Sequence, residues 1–383
     1  MSSGLEDALH NINAYAREVG FAQAGIAPVP LREPGQAEYL EQWIAGGRAG
    51  EMDWLKRRDE QGRLVRSSLE VALPWARSVI VCAAPYDADA PLSIDPTAET
   101  QGWIARYAWS GSRIGPNVAA ADPEAPLRPS DYHKVLLRRL HKLEALLRAA
   151  TPEPFTSRAW VDTGPLIERS YAHAAGIGWT AKNTCTLSET LGSFFFLGVI
   201  ATSLEVSRRA TLPPPDRCGS CTRCLDACPT NALPAPYEMD ASRCIAYLTI
   251  EKRGAIAEEL RAPMGRQIFG CDICQDVCPW NAKHRRDGPI RIDPELEPRP
   301  ELINPELSAL AAMSEEEYAA AFFGSPVRRA RYEGLRRNVA IAMGNSGRAD
   351  FLPQLEAWAD DPDAVLAESA RWAIDRIMPS EGD

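Results

Sequence analysis

Eight of the ten cysteines fall between residues 218 and 278, in two runs and one bridging position. The first run is Cys218-Gly-Ser-Cys221-Thr-Arg-Cys224-Leu-Asp-Ala-Cys228-Pro229, Cys244 stands alone, and the second is Cys271-Asp-Ile-Cys274-Gln-Asp-Val-Cys278-Pro279. Thiolates at this spacing hold two 4Fe-4S clusters, and the fourth cysteine of a run reaches the other cluster. The reason is reach: three thiolates on a tight loop cap one face of a cubane, while a cysteine beyond a longer spacer and just before a proline points away. One cluster is therefore expected on Cys218, Cys221, Cys224 and Cys278. The other takes Cys271, Cys274, Cys228 and Cys244, the last because the second run offers only two near ligands. Paired zinc sites and a disulfide framework are the competing readings. Zinc does not need the interlocked pattern, and the segment Met1-Ser-Ser-Gly-Leu-Glu-Asp lacks the basic and apolar regions of a signal peptide. The expectation is a protein of the reducing cytoplasm, where dense disulfides are rare.

The rest of the composition bounds the class of protein. The 383 residues are 25% charged and 45% hydrophobic, with a formal charge of −10. That balance suits a soluble chain of two or three domains and argues against a binder that relies on one broadly basic domain. Local patches remain: Arg328, Arg329, Arg331, Arg336 and Arg337, and Lys283, His284, Arg285 and Arg286. Either set is read equally well as a solvated face. The longest strongly apolar stretch, Phe194 to Ala201, is far too short to span a bilayer.

The elements that must position these residues follow from periodicity. Leu5, Ala8, Leu9, Ile12 and Ala16 have helical spacing, Phe21 to Ala27 reads as a strand, and Ser78 to Ala84 as a buried strand. Helix and strand alternate, which indicates an α/β layer architecture over residues 1–207. Residues 110–129 read as an inserted surface loop. The helix from Asp131 presents Val135, Leu136, Leu140, Leu143, Leu146 and Leu147 to the sheet. Asp162 ends the strand Ala159-Trp160-Val161 and precedes a helix, so it is either an active-site carboxylate or that helix's N-cap. The loop Gly176 to Thr184 is too irregular for a nucleotide-binding fingerprint. Residues 208–295 form the ferredoxin-like cluster segment. A proline-rich link then leads into residues 296–383, whose short alanine-rich helices suggest HEAT-type stacking. Cys82 and Cys185 read as packing residues.

With these residues in hand, the chain resembles the epoxyqueuosine reductases. The resemblance is carried by Asp162-Thr-Gly-Pro-Leu-Ile-Glu168-Arg169, Gly178-Trp-Thr-Ala-Lys182-Asn-Thr, Cys244 to Gly254, Gly270 to Asn281, and Gly334-Leu-Arg-Arg-Asn338. It implies an α/β cobalamin domain, a two-cluster ferredoxin-like domain and a helical tail that grips an anticodon stem-loop. The implied reaction reduces epoxyqueuosine to queuosine at position 34 of tRNA, on cobalamin with a cob(II)alamin resting form. An external flavodoxin- or ferredoxin-type donor would feed the clusters of a monomeric, membrane-free enzyme.

By the same resemblance Asp162 is the proton donor, displacing the helix-cap reading. Arg57, Arg106, Tyr107, Asp162, Lys182, Asn183, Thr184, Asp272 and Ile273 would lie around the corrin, and Lys252, Arg253, Arg336 and Arg337 would meet the RNA. Two departures stand out: about twenty extra residues precede Asp131-Tyr132-His133, and Ala181 replaces a glycine. Asp131-x-His133 imitates a D-x-H-x-x-G cobalamin motif, but Leu136 occupies the glycine position, so His133 is not read as a cobalt ligand. The alternatives are a reductive-dehalogenase-like cobalamin enzyme for a small molecule and a non-catalytic ferredoxin electron-transfer module.

Overall fold

The structure is a computed structural model that describes residues 11–31, 36–113, 125–151, 153–206, 212–288, 290 and 292–379. Four strands form its main sheet: β1 (Gln23–Pro28), β2 (Ser78–Pro85), β3 (Ser157–Trp160) and β4 (Phe195–Thr202), in the order β1-β2-β4-β3. Every neighbouring pair is antiparallel, unlike the parallel sheets that alternating helices and strands commonly build. β2 is buried on both faces because its side chains alternate between two apolar layers. Ile80, Cys82 and Ala84 join the core under α1 (Ile12–Glu18) and α2 (Tyr132–Ala150), while Val79, Val81 and Ala83 join the core under α3 (Glu168–Ala174).

The α2 stripe of Val135, Leu136, Leu140, Leu143 and Leu147 faces the sheet, as its spacing requires. Asp131 starts the helix, its side chain accepting from the His133 amide. Leu5, Ala8 and Leu9 of the expected first helix lie outside the described residues. Gly25 lets α3 lie directly on the sheet, since a Cβ there would meet the Ala175 carbonyl oxygen at 2.0 Å.

A second core joins segments far apart in sequence. Helices α4 (Arg331–Ser346), α5 (Leu352–Ala359) and α6 (Ala364–Ile377) pack with Trp103, Ile104, Trp109, Ile268 and Phe269. Trp103–Ile104 pairs in parallel with Gln267–Phe269, so the stretch before the insertion is stitched to the stretch before the second cysteine run. The two ends of the insertion are also structured. Ser110–Ser112 pairs with Arg128–Pro129 on one side and Glu297–Pro298 on the other, and residues 114–124 lie outside the described residues. Among the described residues no helix is long and apolar enough to cross a membrane.

Arg337, expected on an RNA-facing patch, is instead built into this core. Its side chain is 2% exposed and donates to the carbonyls of Leu248, Lys252 and Gly254 at 2.7, 2.9 and 2.8 Å. Burial lowers its pKa to about 10, so the group stays charged at neutrality and serves as a hub for carbonyls at the end of helix 245–250. The neighbouring Asn338 donates to Thr249 and Ile268 carbonyls, completing the seam between the cluster segment and α4. Removing the guanidinium strands buried acceptors, which costs about 3 kcal/mol. Arg337→Ala is therefore expected to lower the unfolding free energy of the apoprotein by that amount, read as a lower urea midpoint at unchanged slope; a change below about 0.5 kcal/mol would show the hub is not structural.

Candidate active site and cluster loops

Asp162 sits at the carboxyl end of β3 in the left-handed backbone region, at φ 57°, where aspartate is one of the few tolerated side chains. Helix α3 has Ile167 at its N-cap and no side-chain cap bond, so Asp162 does not cap it. Instead Asp162 Oδ2 accepts from the Tyr132 hydroxyl at 2.5 Å and lies 3.7 Å from His133 Nε2. His133 Nδ1 is in turn 3.0 Å from Asp131. Tyr132 is fixed by stacking on Phe196, with ring centroids 4.0 Å apart and planes 4° from parallel. Burial, reinforced by the charge of Asp162, raises the phenol pKa and keeps Tyr132 a donor.

Two cavities meet at this carboxylate. One, of about 670 Å³, runs from Asp162, Tyr132 and His133 to Glu251, Ser325 and Arg329. The other, of about 360 Å³, runs to Cys185, Ser193 and Gln275. Tyr107, Tyr132, Asp162 and Glu168 wall both. The Asp162 side chain is about half exposed in them, at 48%. Glu168 is more enclosed: burial pushes its carboxyl up to about 7, and its Oε1 is buried without a partner.

The cysteines gather in two sets beyond the second cavity. Cys224 feels the charges of Cys278, Cys218 and Cys221, and these four bound a small cavity of about 100 Å³ with Lys182 and Trp280. Cys271 feels Cys244 and Cys228, and Cys274 feels Cys271 and Cys244. None of the ten cysteines forms a disulfide. Burial pushes Cys224 and Cys244 up to about 11 as thiols. Crowding four such groups is unfavourable without a cation and fits iron, which binds the thiolates. Cys185 is not the simple packing residue expected, since it hydrogen-bonds Cys274 and lines the second cavity.

The remaining sequence-derived residues divide. Tyr107 walls both cavities and Arg57 lines an adjoining one of about 800 Å³. Arg106 does not present its guanidinium to either: it donates to the Ala88 and Pro91 carbonyls, packs on Trp109 and lies 3.6 Å from the buried Asp87 carboxylate, which offsets its charge. Asp272 is likewise turned inward, accepting from the Trp103 indole at 3.1 Å and the Arg106 amide at 2.7 Å, with burial pushing it up to about 7. Lys182 points to the first cysteine loop, donating to the Gly219 and Cys221 carbonyls. Asn183 joins Cys185 to the Cys274 carbonyl, and Thr184 contacts Met239 while its carbonyl accepts from Arg169. Ile273 is half-buried at the start of the Cys274 turn.

The basic residues expected at RNA are also paired. Lys252 bonds Glu51, Arg253 donates to the carbonyls of Ile250, Arg329 and Ala330, and Arg336 lies 2.6 Å from Asp361. Sequence reasoning gave no role to Glu168, Tyr132 or His133. Their signal was present in the motifs around Asp162 and Asp131, but nothing in the spacing shows that two distant segments share one cavity wall.

Comparison with known proteins adds the family. Residues 66–163 match the family described as epoxyqueuosine reductase QueG, and residues 217–281 match a 4Fe-4S double cluster binding domain. Iron-sulfur clusters are thus part of the protein. The chain is 37% identical to the epoxyqueuosine reductase of Xanthomonas campestris pv. campestris, with 96% of each covered, and 35% identical to that of Escherichia coli K12, covering 97% of this chain and 89% of the relative. A crystal structure of an epoxyqueuosine reductase with an epoxyqueuosine-modified tRNA-Tyr stem loop superposes with a TM-score of 0.80 at 30% identity, covering 97% of this chain and 91% of that one. The Bacillus subtilis enzyme, whose aspartate catalytic loop is swung out of its active site, gives 0.79 at 29%, with the same 97% and 91% coverage. Relatives matched along nearly their whole length, together with the cysteine sets and the Asp162 cavities, place this chain in the epoxyqueuosine reductase family.

Proposed function

We propose that the protein reduces epoxyqueuosine to queuosine at position 34 of tRNA, with Asp162 as the proton donor. The observation that carries this reading is the Asp162 carboxylate, oriented by Tyr132 at the meeting of two cavities, one of which ends at the Cys274 loop. Opening an epoxide requires a proton on the oxygen as the carbon–oxygen bond breaks, together with electrons from the opposite direction. The cavity pair brings these two supplies together at Asp162, which walls both.

The second cavity is the proposed seat of cobalamin. Its lining of Tyr86, Tyr107, Tyr132, Phe195, Phe196 and Leu197 is largely aromatic and apolar, the cavity is continuous with that of about 670 Å³ through Tyr107 and Asp162, and Cys185 and Gln275 bring it beside the loop of the second cysteine set, so the joined space fits a macrocycle that takes electrons from a cluster. When bound, the corrinoid supplies those electrons to the epoxide. Tyr107 and Asp162 are its proposed direct contacts, Asn183, Thr184 and Ile273 flank it, and Arg57 reaches from the adjoining cavity. Arg106 and Asp272 brace the segment that carries Tyr107, and Lys182 holds the first cysteine loop. Clusters on Cys218, Cys221, Cys224 and Cys278 and on Cys228, Cys244, Cys271 and Cys274 pass single electrons from a soluble donor protein.

The first cavity opens toward Glu251, Ser325 and Arg329, next to Lys252 and Arg253. This is the proposed mouth for the anticodon loop, whose unpaired bases leave their stack at lower cost than those of a duplex. Arg336 would border the RNA while held by Asp361. Helices α4 to α6 stand as a HEAT-like scaffold for this face. Residues 1–207, 208–295 and 296–383 are proposed as the cobalamin, cluster and RNA-binding segments of a monomer, although they share one core.

Asp162→Asn keeps the shape and the Tyr132 contact but removes the proton. It is expected to retain clusters and corrinoid while lowering turnover roughly 10²- to 10⁴-fold; unchanged turnover would remove Asp162 from the mechanism. The crossed ligand sets have their own test in electron paramagnetic resonance. Cys224→Ala and Cys278→Ala are expected to alter one cluster signal, and Cys228→Ala and Cys244→Ala the other. Loss of the same signal by Cys224→Ala and Cys228→Ala would refute the crossing.

A further inference from the structure

Reducing an epoxide to an alkene breaks two carbon–oxygen bonds, forms a carbon–carbon double bond and releases one water. It consumes two electrons, here from the clusters and their soluble one-electron donor, and two protons. Asp162 is the proposed donor of one. The second must come from another acid once a bound tRNA covers the mouth.

Resting on the reductive reading above, we infer that Glu168 is the second acid of the site: Asp162 protonates the epoxide oxygen as the ring opens, and Glu168 protonates the same oxygen as it departs as water. Glu168 is the other carboxylic acid that walls both cavities with Asp162, Tyr107 and Tyr132. Its Oε1 is buried and has no partner, although the first position of α3 leaves its own backbone amide in reach of the carboxyl. A buried carboxyl oxygen without a donor is costly as an anion and favourable as a protonated acid.

The charges that reach it are Asp162, Arg66 and Arg169. Arg66 donates to the Leu166 carbonyl and Arg169 to that of Thr184, so both guanidinium groups are partly committed elsewhere. Burial outweighs them and pushes Glu168 up to about 7, which leaves a substantial protonated fraction at neutrality.

The other nearby groups fit less well. Tyr132 holds its proton too tightly and spends it on Asp162. His133 approaches Asp162 at 3.7 Å with its side chain 31% exposed and tied to Asp131. It walls the outer cavity and is absent from the lining of the one beside Cys185.

Glu168→Gln preserves size and removes the proton. With full-length protein carrying clusters and added cobalamin, it is expected to leave tRNA stem-loop affinity and corrinoid binding unchanged and to slow conversion about ten- to hundredfold. It should also abolish the fall in rate that the wild type shows as pH rises through about 7, a fall that His133→Gln should keep. A wild-type rate in Glu168→Gln, or an unaltered pH profile, overturns the inference. Should Glu168→Gln lose corrinoid, the wild-type profile still decides, because a rate that is flat from about pH 6 to 8 contradicts an acid of this kind.

A substrate-free readout separates this inference from the reductive reading. The folded state keeps a proton that the unfolded chain releases near the ordinary glutamate value of 4.5. Wild-type stability should therefore fall relative to Glu168→Gln as pH rises from about 4.5 to about 7. Parallel pH-stability curves contradict the role of Glu168 even if the wild type converts no epoxyqueuosine, a result that by itself would count against the reductive reading.

Discussion

The carboxylate of Asp272 holds the two halves of the molecule in register. It lies between Cys271 and Cys274 in sequence, yet its oxygen accepts from the Trp103 indole and the Arg106 amide. A buried carboxylate is tolerated only when donors surround it, so the cluster loop and the 103–107 segment must dock in one relative position. Gly270 makes the approach feasible: its φ is +70°, and a Cβ there would meet that of Ala105 at 2.5 Å. From this joint the chain sends Tyr107 into both cavities and Gln275, next to Cys274, to the end of the second. The second cysteine set and Asp162 are thereby brought to one space.

That joint also accounts for what the sequence could and could not show. The cysteine runs were legible because thiolate ligation constrains spacing within a short loop. The apolar stripe of α2 and the buried strand β2 were legible because burial imposes a period. Direction within the sheet was not, since an apolar strand reads the same in parallel and antiparallel pairing. Nor was the merger of the cluster segment with α4 to α6, which depends on Trp103, Ile268 and Asn338 meeting across long sequence distances.

The basic residues show the same limit more sharply. Arg106 and Arg337 look like ligand-binding side chains in a motif, and both spend their donors on backbone carbonyls inside the protein. Arginine serves either use, because its fork of donors satisfies a phosphate or a set of carbonyls equally well. Only burial distinguishes them. Glu168 presents the converse case: it was visible in the motif that identifies the family, but its chemistry depends on an enclosed oxygen that no pattern of residues displays.

The central claim is that this cavity pair performs a corrinoid-dependent reduction on tRNA. The most direct measurement is anaerobic: cluster-loaded protein, a strong reductant and tRNA bearing epoxyqueuosine, with and without added cobalamin, followed by mass spectrometry of the nucleosides. The expected result is queuosine formed with cobalamin and none without it. Absence of queuosine when clusters and corrinoid are demonstrably bound, or equal conversion in corrinoid-free protein, would contradict the assignment of the cavities.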